Sequence, residues 1–126
     1  MRHPNVHRLA ILASHPVQYQ GPWFRKLAEH PDIDLTVLFA SDHGARPAAD
    51  AEFGVTFAWD QPLTEGYNHV FMRCPHPRPG PWGFWNRTNP ELWTIIREGR
   101  FDAIMVFGWG FASAWLGVAA ARRYGT

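Results

Sequence analysis

The sequence predicts an α/β protein built on a doubly wound, parallel, Rossmann-like sheet. Short apolar runs that end in polar loops alternate with helical patterns, in the order β-α-β, a long loop, then β-α-β-α. The runs are almost continuously apolar, which is typical of parallel strands covered by helices on both faces. We therefore expect four parallel strands with right-handed crossovers, in the spatial order 3-2-1-4.

The first predicted strand covers residues 9 to 13, a short stretch of leucine, isoleucine and alanine. Ser14, His15 and Pro16 end this strand, because proline lacks a backbone donor and favours extended geometry at the residue before it. The turn at residues 21 and 22, Gly-Pro, begins a helix. Its inward side is expected to carry four apolar residues: Trp23, Phe24, Leu27 and Ala28.

The second strand is predicted at residues 33 to 40, after the His-Pro-Asp sequence at 30 to 32 that ends the first helix. Residues 41 to 68 show no sustained periodicity. Because structureless loops rarely exceed about 12–15 residues, this segment is either functional or contains short elements. The alternation at 53 to 59 indicates a short extended segment, and residues 69 to 72 are a weak third strand.

The second half of the chain begins with residues 73 to 87, whose four prolines, glycines and aromatic residues exclude regular structure. We expect this segment to fold back on the domain or to close over a ligand. A helix follows, with Asn89 as its N-cap, Pro90 at its first position, an end near Glu98 and a stop at Gly99.

The fourth strand is predicted at residues 101 to 107, followed by the loop Gly108-Trp109-Gly110 and an alanine-rich helix from 111 to 123. This strand is too apolar for a comfortable exposed edge, because an unpaired edge invites pairing with another chain. We therefore expect residues 1 to 126 to be a single partial domain at the front of a larger protein, and the isolated chain to self-associate.

Composition excludes several classes of protein. The net charge is +1 and the arginines are scattered, so no nucleic-acid partner is expected. The single cysteine, Cys74, cannot form an internal disulfide and is expected to be a free, half-buried thiol in a reducing compartment. The N-terminus lacks the apolar core of a signal peptide or a membrane span, which predicts a cytoplasmic location.

Motifs for metals and cofactors are missing from the sequence. The seven histidines show no ligand spacing, so no metal site is expected. The first loop offers only Gly21 where a dinucleotide site needs Gly-x-Gly-x-x-Gly, which disfavours a nucleotide oxidoreductase. The carboxylates of the long loop include Asp42, Asp50, Asp60 and Glu65. These four are either solvated charges or include a general base. No catalytic residue is assigned.

Several segments together resemble one family. Ser-His-Pro-Val-Gln-Tyr-Gln-Gly-Pro at 14 to 22 and Glu-Phe-Gly-Val-Thr-Phe-Ala-Trp-Asp at 52 to 60 carry most of the similarity. Three further segments add to the similarity: Phe-Arg-Lys-Leu at 24 to 27, Asp-Leu-Thr-Val-Leu at 34 to 38, and Arg-Phe-Asp-Ala-Ile at 100 to 104 with Gly108 and Trp109. Over most of its length the chain resembles the N-terminal domain of GT-B glycosyltransferases of family 4.

This resemblance implies two Rossmann-like domains, of which only part of the acceptor-side one is present. It implies a retaining transferase of the hexosyltransferase type, which moves a sugar from a nucleotide-diphosphate sugar to a hydroxyl of a sugar, lipid or glycan acceptor. The donor's phosphate ligands would lie in the C-terminal domain, outside this sequence, so no cofactor is expected on this chain. Peripheral contact with the inner face of a membrane is left open.

The candidate binding residues follow the first and fourth strands, at the edge where open α/β sheets bind ligands. They are His15, Gln18, Tyr19, Gln20, Gly21, Gly108 and Trp109. His15 either contacts substrate or has a structural role, in which it caps the helix or hydrogen-bonds a backbone carbonyl. Tyr19 either contacts substrate or packs against the sheet. Gly108 forms a tight turn or admits a ligand close to the backbone. Trp109 fits poorly in a core and is a candidate for stacking on a sugar.

Two other hypotheses remain open on the sequence. The chain is a free-standing, flavodoxin-like binding or regulatory module that uses the same edge without catalysis, or it is a truncated product without activity. The reading frame after Thr126 separates the three hypotheses, because only the transferase requires a second Rossmann-like domain. On the transferase hypothesis the fragment alone is expected to be inactive.

Overall fold

A parallel sheet of four strands forms the centre of the protein. The computed structural model describes residues 5–17, 19–41, 48–50, 55–57, 64–74 and 84–126. The elements, in chain order, are β1 (His7–Ala13), α1 (Gly21–Ala28), β2 (Ile33–Phe39), β3 (Ala48–Asp50), β4 (Val55–Phe57), β5 (Asn68–Phe71), a 3₁₀ helix (Phe84–Arg87), α2 (Glu91–Gly99), β6 (Ala103–Val106) and α3 (Ala112–Tyr124).

The strands of the main sheet lie in the order β5-β2-β1-β6, and every neighbouring pair is parallel. This is the predicted order 3-2-1-4, so the structure confirms the Rossmann-like class. The strand ends agree with the prediction to within about two residues, the usual uncertainty of such boundaries. Within the described residues, no helix combines the length and apolar character that crossing a bilayer requires.

Two hydrophobic clusters cover the two faces of the sheet. Along β1, Ile11 and Ala13 belong to the cluster that contains Phe24 of α1. Ala10 and Leu12 belong to the other cluster, which contains residues of α2 and α3. Successive side chains of a strand point to opposite faces, so β1 is buried on both, as its continuous apolar run predicts.

The fourth predicted strand, β6, lies at the edge of the sheet. It pairs with β1 alone among the described strands, and its side chains alternate between exposed and half-buried. The apolar pattern predicted a strand in the centre of the intended sheet. In the described residues the far side of β6 has no neighbouring strand, and Met105 is exposed on one face of β6.

A second, two-stranded sheet lies in the long segment after β2, where β3 and β4 pair antiparallel. The extended segment predicted at 53 to 59 is confirmed for Val55–Phe57. Of the four carboxylates considered for catalysis, Asp50 lies in β3 and Glu65 is exposed. Asp42 and Asp60 lie outside the described residues.

Both ends of α2 agree with the prediction to within one residue, but the capping roles predicted for Asn89 and Gly99 are wrong. The residue before the helix is Pro90, and no side chain caps it, because the Asn89 side chain bonds elsewhere. At the other end Gly99 is still helical, and Arg100 adopts the left-handed conformation with φ 51°. A Cβ atom at Gly99 would overlap the ring of Phe101. The glycine is therefore required for close packing rather than for the helix stop.

The segment from 73 to 87 contains more regular structure than its prolines predict. Phe84–Arg87 forms a 3₁₀ helix, and this short helix packs against α3. Residues 75 to 83 lie outside the described part of the chain. The Thr88 hydroxyl donates a hydrogen bond of 2.7 Å to the carbonyl of Trp85, which fixes the exit from the 3₁₀ helix.

Charged side chains join the strands at the amino edge of the sheet, where β1 and β2 begin. The backbone N–H of Arg8 donates to Oδ2 of Asp102 at 2.7 Å, and the Arg8 Nε donates to Oδ2 of Asp34 at 3.2 Å. The same guanidinium donates to the carbonyl of Gly99 and lies over the ring of Phe101, 5.1 Å from its centroid. One arginine thus connects β1, β2 and the end of α2.

Candidate functional site

The order of the strands reverses between β1 and β6. From β1 the chain moves through β2 to β5 on one side, whereas β6 lies on the other side of β1. In open α/β sheets ligands bind outside the carboxyl ends of the strands at such a switch point. Two segments meet there: the loop from Ser14 after β1, and the loop from Phe107 after β6. The backbone N–H of Phe107 donates to the carbonyl of Leu12 at 2.9 Å, which holds the two strand ends together.

The loop after β1 is held by a proline and by a serine. Pro16 is buried completely, which anchors the loop to the domain. His15 is half-buried, and its Nδ1 lies 2.8 Å from Oγ of Ser14. The N-cap residue of α1 is Gln20, and its side chain makes no capping hydrogen bond. The contact with Ser14 orients the imidazole ring at the carboxyl end of β1.

The loop after β6 presents an exposed tryptophan. Gly108 has φ 81°, a left-handed conformation that favours glycine, and a Cβ there would meet no atom within 4 Å. Trp109 is 77% exposed. Its carbonyl accepts a hydrogen bond of 2.9 Å from Nε1 of Trp115, a residue in the first turn of α3. The loop is therefore a defined turn that holds an indole ring in solvent.

The remaining predicted residues lie near the start of α1. Tyr19 is 80% exposed, so the interpretation that its ring packs against the sheet is wrong. Gln20 precedes the helix, and its Oε1 is buried with no hydrogen-bond partner among the described residues. Gly21 is buried as the first residue of α1. Gln18 lies outside the described residues.

Sequence reasoning missed two tryptophans that belong to this edge. Trp23 was expected on the inward side of α1. Its ring contacts Phe107 with 5.6 Å between centroids and stays partly exposed. Trp115 is 58% exposed and holds the carbonyl of Trp109. Their positions in the sequence could have indicated that they lie at this edge, because both tryptophans lie in the first turn of a helix that follows a predicted strand.

A buried amide fixes the carboxyl edge on the other side of the switch point. Asn89 is completely buried, and its Nδ2 donates to the carbonyls of Ala40 at 3.1 Å and of Arg73 at 2.9 Å. Its Oδ1 accepts a hydrogen bond of 2.7 Å from the hydroxyl of Ser113 in α3. The ends of β2 and β5 and the start of α3 are therefore joined through one side chain.

The described residues include one free cysteine and no cluster of metal-ligating side chains. Cys74 is free and half-buried, as predicted, and its Sγ lies 3.9 Å from the carbonyl oxygen of Trp85. No group of three or more histidine, cysteine, aspartate or glutamate residues in the described part of the chain is arranged to hold a metal ion.

A cavity of about 330 Å³ lies at the opposite, amino edge of the sheet. Its lining comes from the end of α1 and the starts of β2 and β5: Ala28, Ile33, Asp34, Leu35, Gly66, Tyr67 and Asn68. Burial raises the pKa of Tyr67 from 10.0 to about 12, while the charge of Arg25 acts in the opposite direction. None of the sequence-predicted site residues lines this cavity.

The two segments at the switch point offer aromatic faces, an imidazole, an amide and exposed backbone. Residues 14 to 24 and 107 to 121 contain no aspartate, glutamate, lysine or arginine. Such a surface can stack against a ligand and hydrogen-bond to it without a charged side chain. Comparison with models of known families, with curated proteins and with solved structures gives no match.

Proposed function

We propose that this chain is the acceptor-side Rossmann-like part of a retaining, GT-B type glycosyltransferase. The acceptor hydroxyl would meet the anomeric carbon of a nucleotide-diphosphate sugar in a cleft between this domain and a second one. The part of the chain described here would bind and orient the acceptor. Such positioning accounts for a large share of the rate in a two-substrate reaction.

One observation carries the proposal. The family resemblance includes two motifs that are separated by most of the chain, His-Pro-x-Gln-Tyr and Gly-Trp. These motifs follow the adjacent strands β1 and β6. They therefore flank the switch point, which is the expected ligand site of this fold. The half-buried His15 and the exposed Trp109 supply a hydrogen-bonding ring and a stacking face on its two sides.

The absence of charged side chains around the switch point agrees with separate domains for the acceptor and the donor. A departing diphosphate needs positive groups or backbone donors to stabilise it. Residues 14 to 24 and 107 to 121 carry no lysine or arginine. The family resemblance places the donor's phosphate ligands in the C-terminal domain, and the absence of cationic side chains here agrees with that placement. We therefore assign the acceptor to this edge. Gln20 adds a buried acceptor oxygen that a hydroxyl donor would satisfy, and an unpaired buried oxygen costs about 1–3 kcal/mol.

The test is an assay of nucleoside diphosphate release by the protein that carries this sequence, with and without saccharide acceptors. We expect His15→Ala and Trp109→Ala each to lower kcat/KM by about tenfold or more, which corresponds to about 1.4 kcal/mol of lost transition-state stabilisation. Their melting temperatures should stay close to that of the wild type.

Val118→Ala is the matched control, since Val118 is exposed on α3 in the turn that follows Trp115. It should leave the kinetics unchanged. Unchanged kinetics in His15→Ala and Trp109→Ala would contradict the proposal. Binding of a small molecule at this edge without release of nucleoside diphosphate would instead support a flavodoxin-like binding module.

A further inference from the structure

The exposed aromatic side chains of the described residues all lie at one edge of the sheet. They are Tyr19, Trp23, Phe84, Trp85, Trp109 and Trp115. Each lies in a connection that leads from a strand to a helix, or in the first turn of such a helix. In a parallel sheet these positions share the carboxyl edge. We call these six residues the aromatic rim.

The contacts make the aromatic rim continuous across the sheet. Trp23 contacts Phe107 at the end of β6, and the loop that follows carries Trp109. Trp115 bonds to the carbonyl of Trp109. On the far side, the 3₁₀ helix with Phe84 and Trp85 packs against α3, the helix of Trp115. The rim therefore runs from the switch point to the 3₁₀ helix beside α3.

The aromatic rim offers more aromatic surface than a single sugar can cover. Its six rings come from three strand-to-helix segments, those that follow β1, β5 and β6. One pyranose ring stacks on one or two aromatic faces at a time. A ligand that covers the rings of all three segments must therefore consist of several units.

The chemistry of the aromatic rim favours a neutral carbohydrate. The face of an aromatic ring carries partial negative charge, and the C–H bonds on one side of a pyranose present partial positive charge to it. Binding to an anionic membrane usually adds a cluster of lysine and arginine to the aromatic residues. Residues 14 to 24 and 107 to 121, which include four of the six rim residues, contain no such cations.

We infer that the aromatic rim binds a neutral oligosaccharide of several units, with its terminal sugar at Trp109 and its later units toward Trp85. This inference rests on the proposed function, because it identifies the acceptor of the transferase as an extended glycan. It adds a site near the 3₁₀ helix that the resemblance does not include.

The experiment measures binding of malto-, cello- and chito-oligosaccharides, from the monosaccharide to the hexasaccharide, by calorimetry on the purified protein. For the preferred series, the dissociation constant should fall by about tenfold or more from the monosaccharide to the tetrasaccharide. Trp109→Ala should weaken binding at every length. Trp85→Ala should weaken binding of the long members by about fivefold or more and leave the shortest unchanged.

Val70→Ala and Val118→Ala are the controls, since both residues are exposed and apolar but lie outside the aromatic rim. They should not change the affinity for any member of the series. Circular dichroism of each variant verifies that the fold is retained. A Trp85→Ala variant with wild-type affinity for the hexasaccharide would overturn the extended site.

The other outcomes separate the inference from the proposed function. Equal affinity for all lengths, lost in Trp109→Ala, would overturn the inference and leave an acceptor site for one sugar. Length-dependent binding without any transfer from a nucleotide sugar would overturn the proposed function and leave the inference intact. Binding to phosphatidylglycerol vesicles that depends on Trp109, with no saccharide binding, would assign the aromatic rim to a membrane and overturn the inference.

Discussion

Asn89 and Ser113 are joined by two hydrogen bonds of equal length. The backbone N–H of Asn89 donates to Oγ of Ser113 at 2.7 Å, and the same hydroxyl donates to Oδ1 of Asn89 at 2.7 Å. Both residues are completely buried. Buried polar groups persist in a folded protein when their hydrogen bonds are made, and their loss is costly. This pair therefore carries a large share of the stability of the carboxyl edge.

We expect Asn89→Ala to lower the free energy of unfolding by about 3 kcal/mol, because it removes the donor from two carbonyls and the acceptor from the Ser113 hydroxyl. Asn89→Asp keeps the volume but loses the amide donor, so it should be at least as destabilising at neutral pH. Guanidinium unfolding measures both. Thr94→Ala, at an exposed position of α2, should change stability by less than about 0.5 kcal/mol.

Gly117 marks the closest approach of α3 to the sheet. A Cβ there would lie 2.9 Å from Cδ2 of Leu12, whose side chain is completely buried. We expect Gly117→Ala to destabilise by about 1 kcal/mol, because the overlap outweighs the helix propensity that alanine adds. Gly110→Ala, where a Cβ meets no atom within 4 Å, is the control. Thermal unfolding of Gly117→Ala at or above the wild-type temperature would contradict this account.

Tyr67 should make stability depend on alkaline pH. Its pKa is raised from 10.0 to about 12, first by burial, against the opposing charge of Arg25. The folded state therefore holds the phenolic proton more tightly than the unfolded state does. The stabilisation is complete below pH 10 and is lost as the pH rises toward 12. The difference in unfolding free energy between wild type and Tyr67→Phe should change over this interval. A constant difference would show that burial of the phenol does not act in this way.

The hydrogen bond from Trp115 to Trp109 should order the loop after β6. Trp115→Phe keeps an aromatic ring and removes the donor. A hydrogen bond of this kind is worth about 0.5–1.5 kcal/mol, so amide exchange at residues 109 and 110 should accelerate by roughly twofold to tenfold. Exchange in β1 and β2 should not change and is the internal reference. Equal exchange rates in variant and wild type would mean that the loop is ordered by its own conformation.

The sequence predicts the sheet well, because the apolar runs of its strands and their order along the chain are local patterns. The continuous apolar run at residues 9 to 13 predicts that β1 is buried on both faces, and the structure confirms this burial. The site loops follow from the same pattern, since strand ends locate the switch point. The prediction that residues 73 to 87 lack regular structure was wrong for Phe84–Arg87, because this 3₁₀ helix lies after the four prolines on which the prediction rested.

The side-chain contacts that override local preferences were not predictable. Asn89 has the sequence context of a helix cap, but its side chain bonds to residues 24 and 49 positions away. Gly99 has the context of a helix stop, but the ring of Phe101, two residues further on, needs the space that a side chain would fill. In both cases side-chain packing outweighed the local preference, and a single sequence does not encode that packing as a pattern.

The amide of Asn89 also discriminates between alternative pairings of strands. It reaches the carbonyls of Ala40 and Arg73 only if β2 and β5 stand in their native register, Thr36 beside Asn68. A shift of β5 by one residue would turn its side chains to the opposite face and move the carbonyl of Arg73 away. The N–H that Asn89 donates to Arg73 would then be unpaired, at a cost of about 1–3 kcal/mol. A sheet in the wrong register therefore also loses stability through a side-chain hydrogen bond outside the backbone hydrogen bonds between its strands.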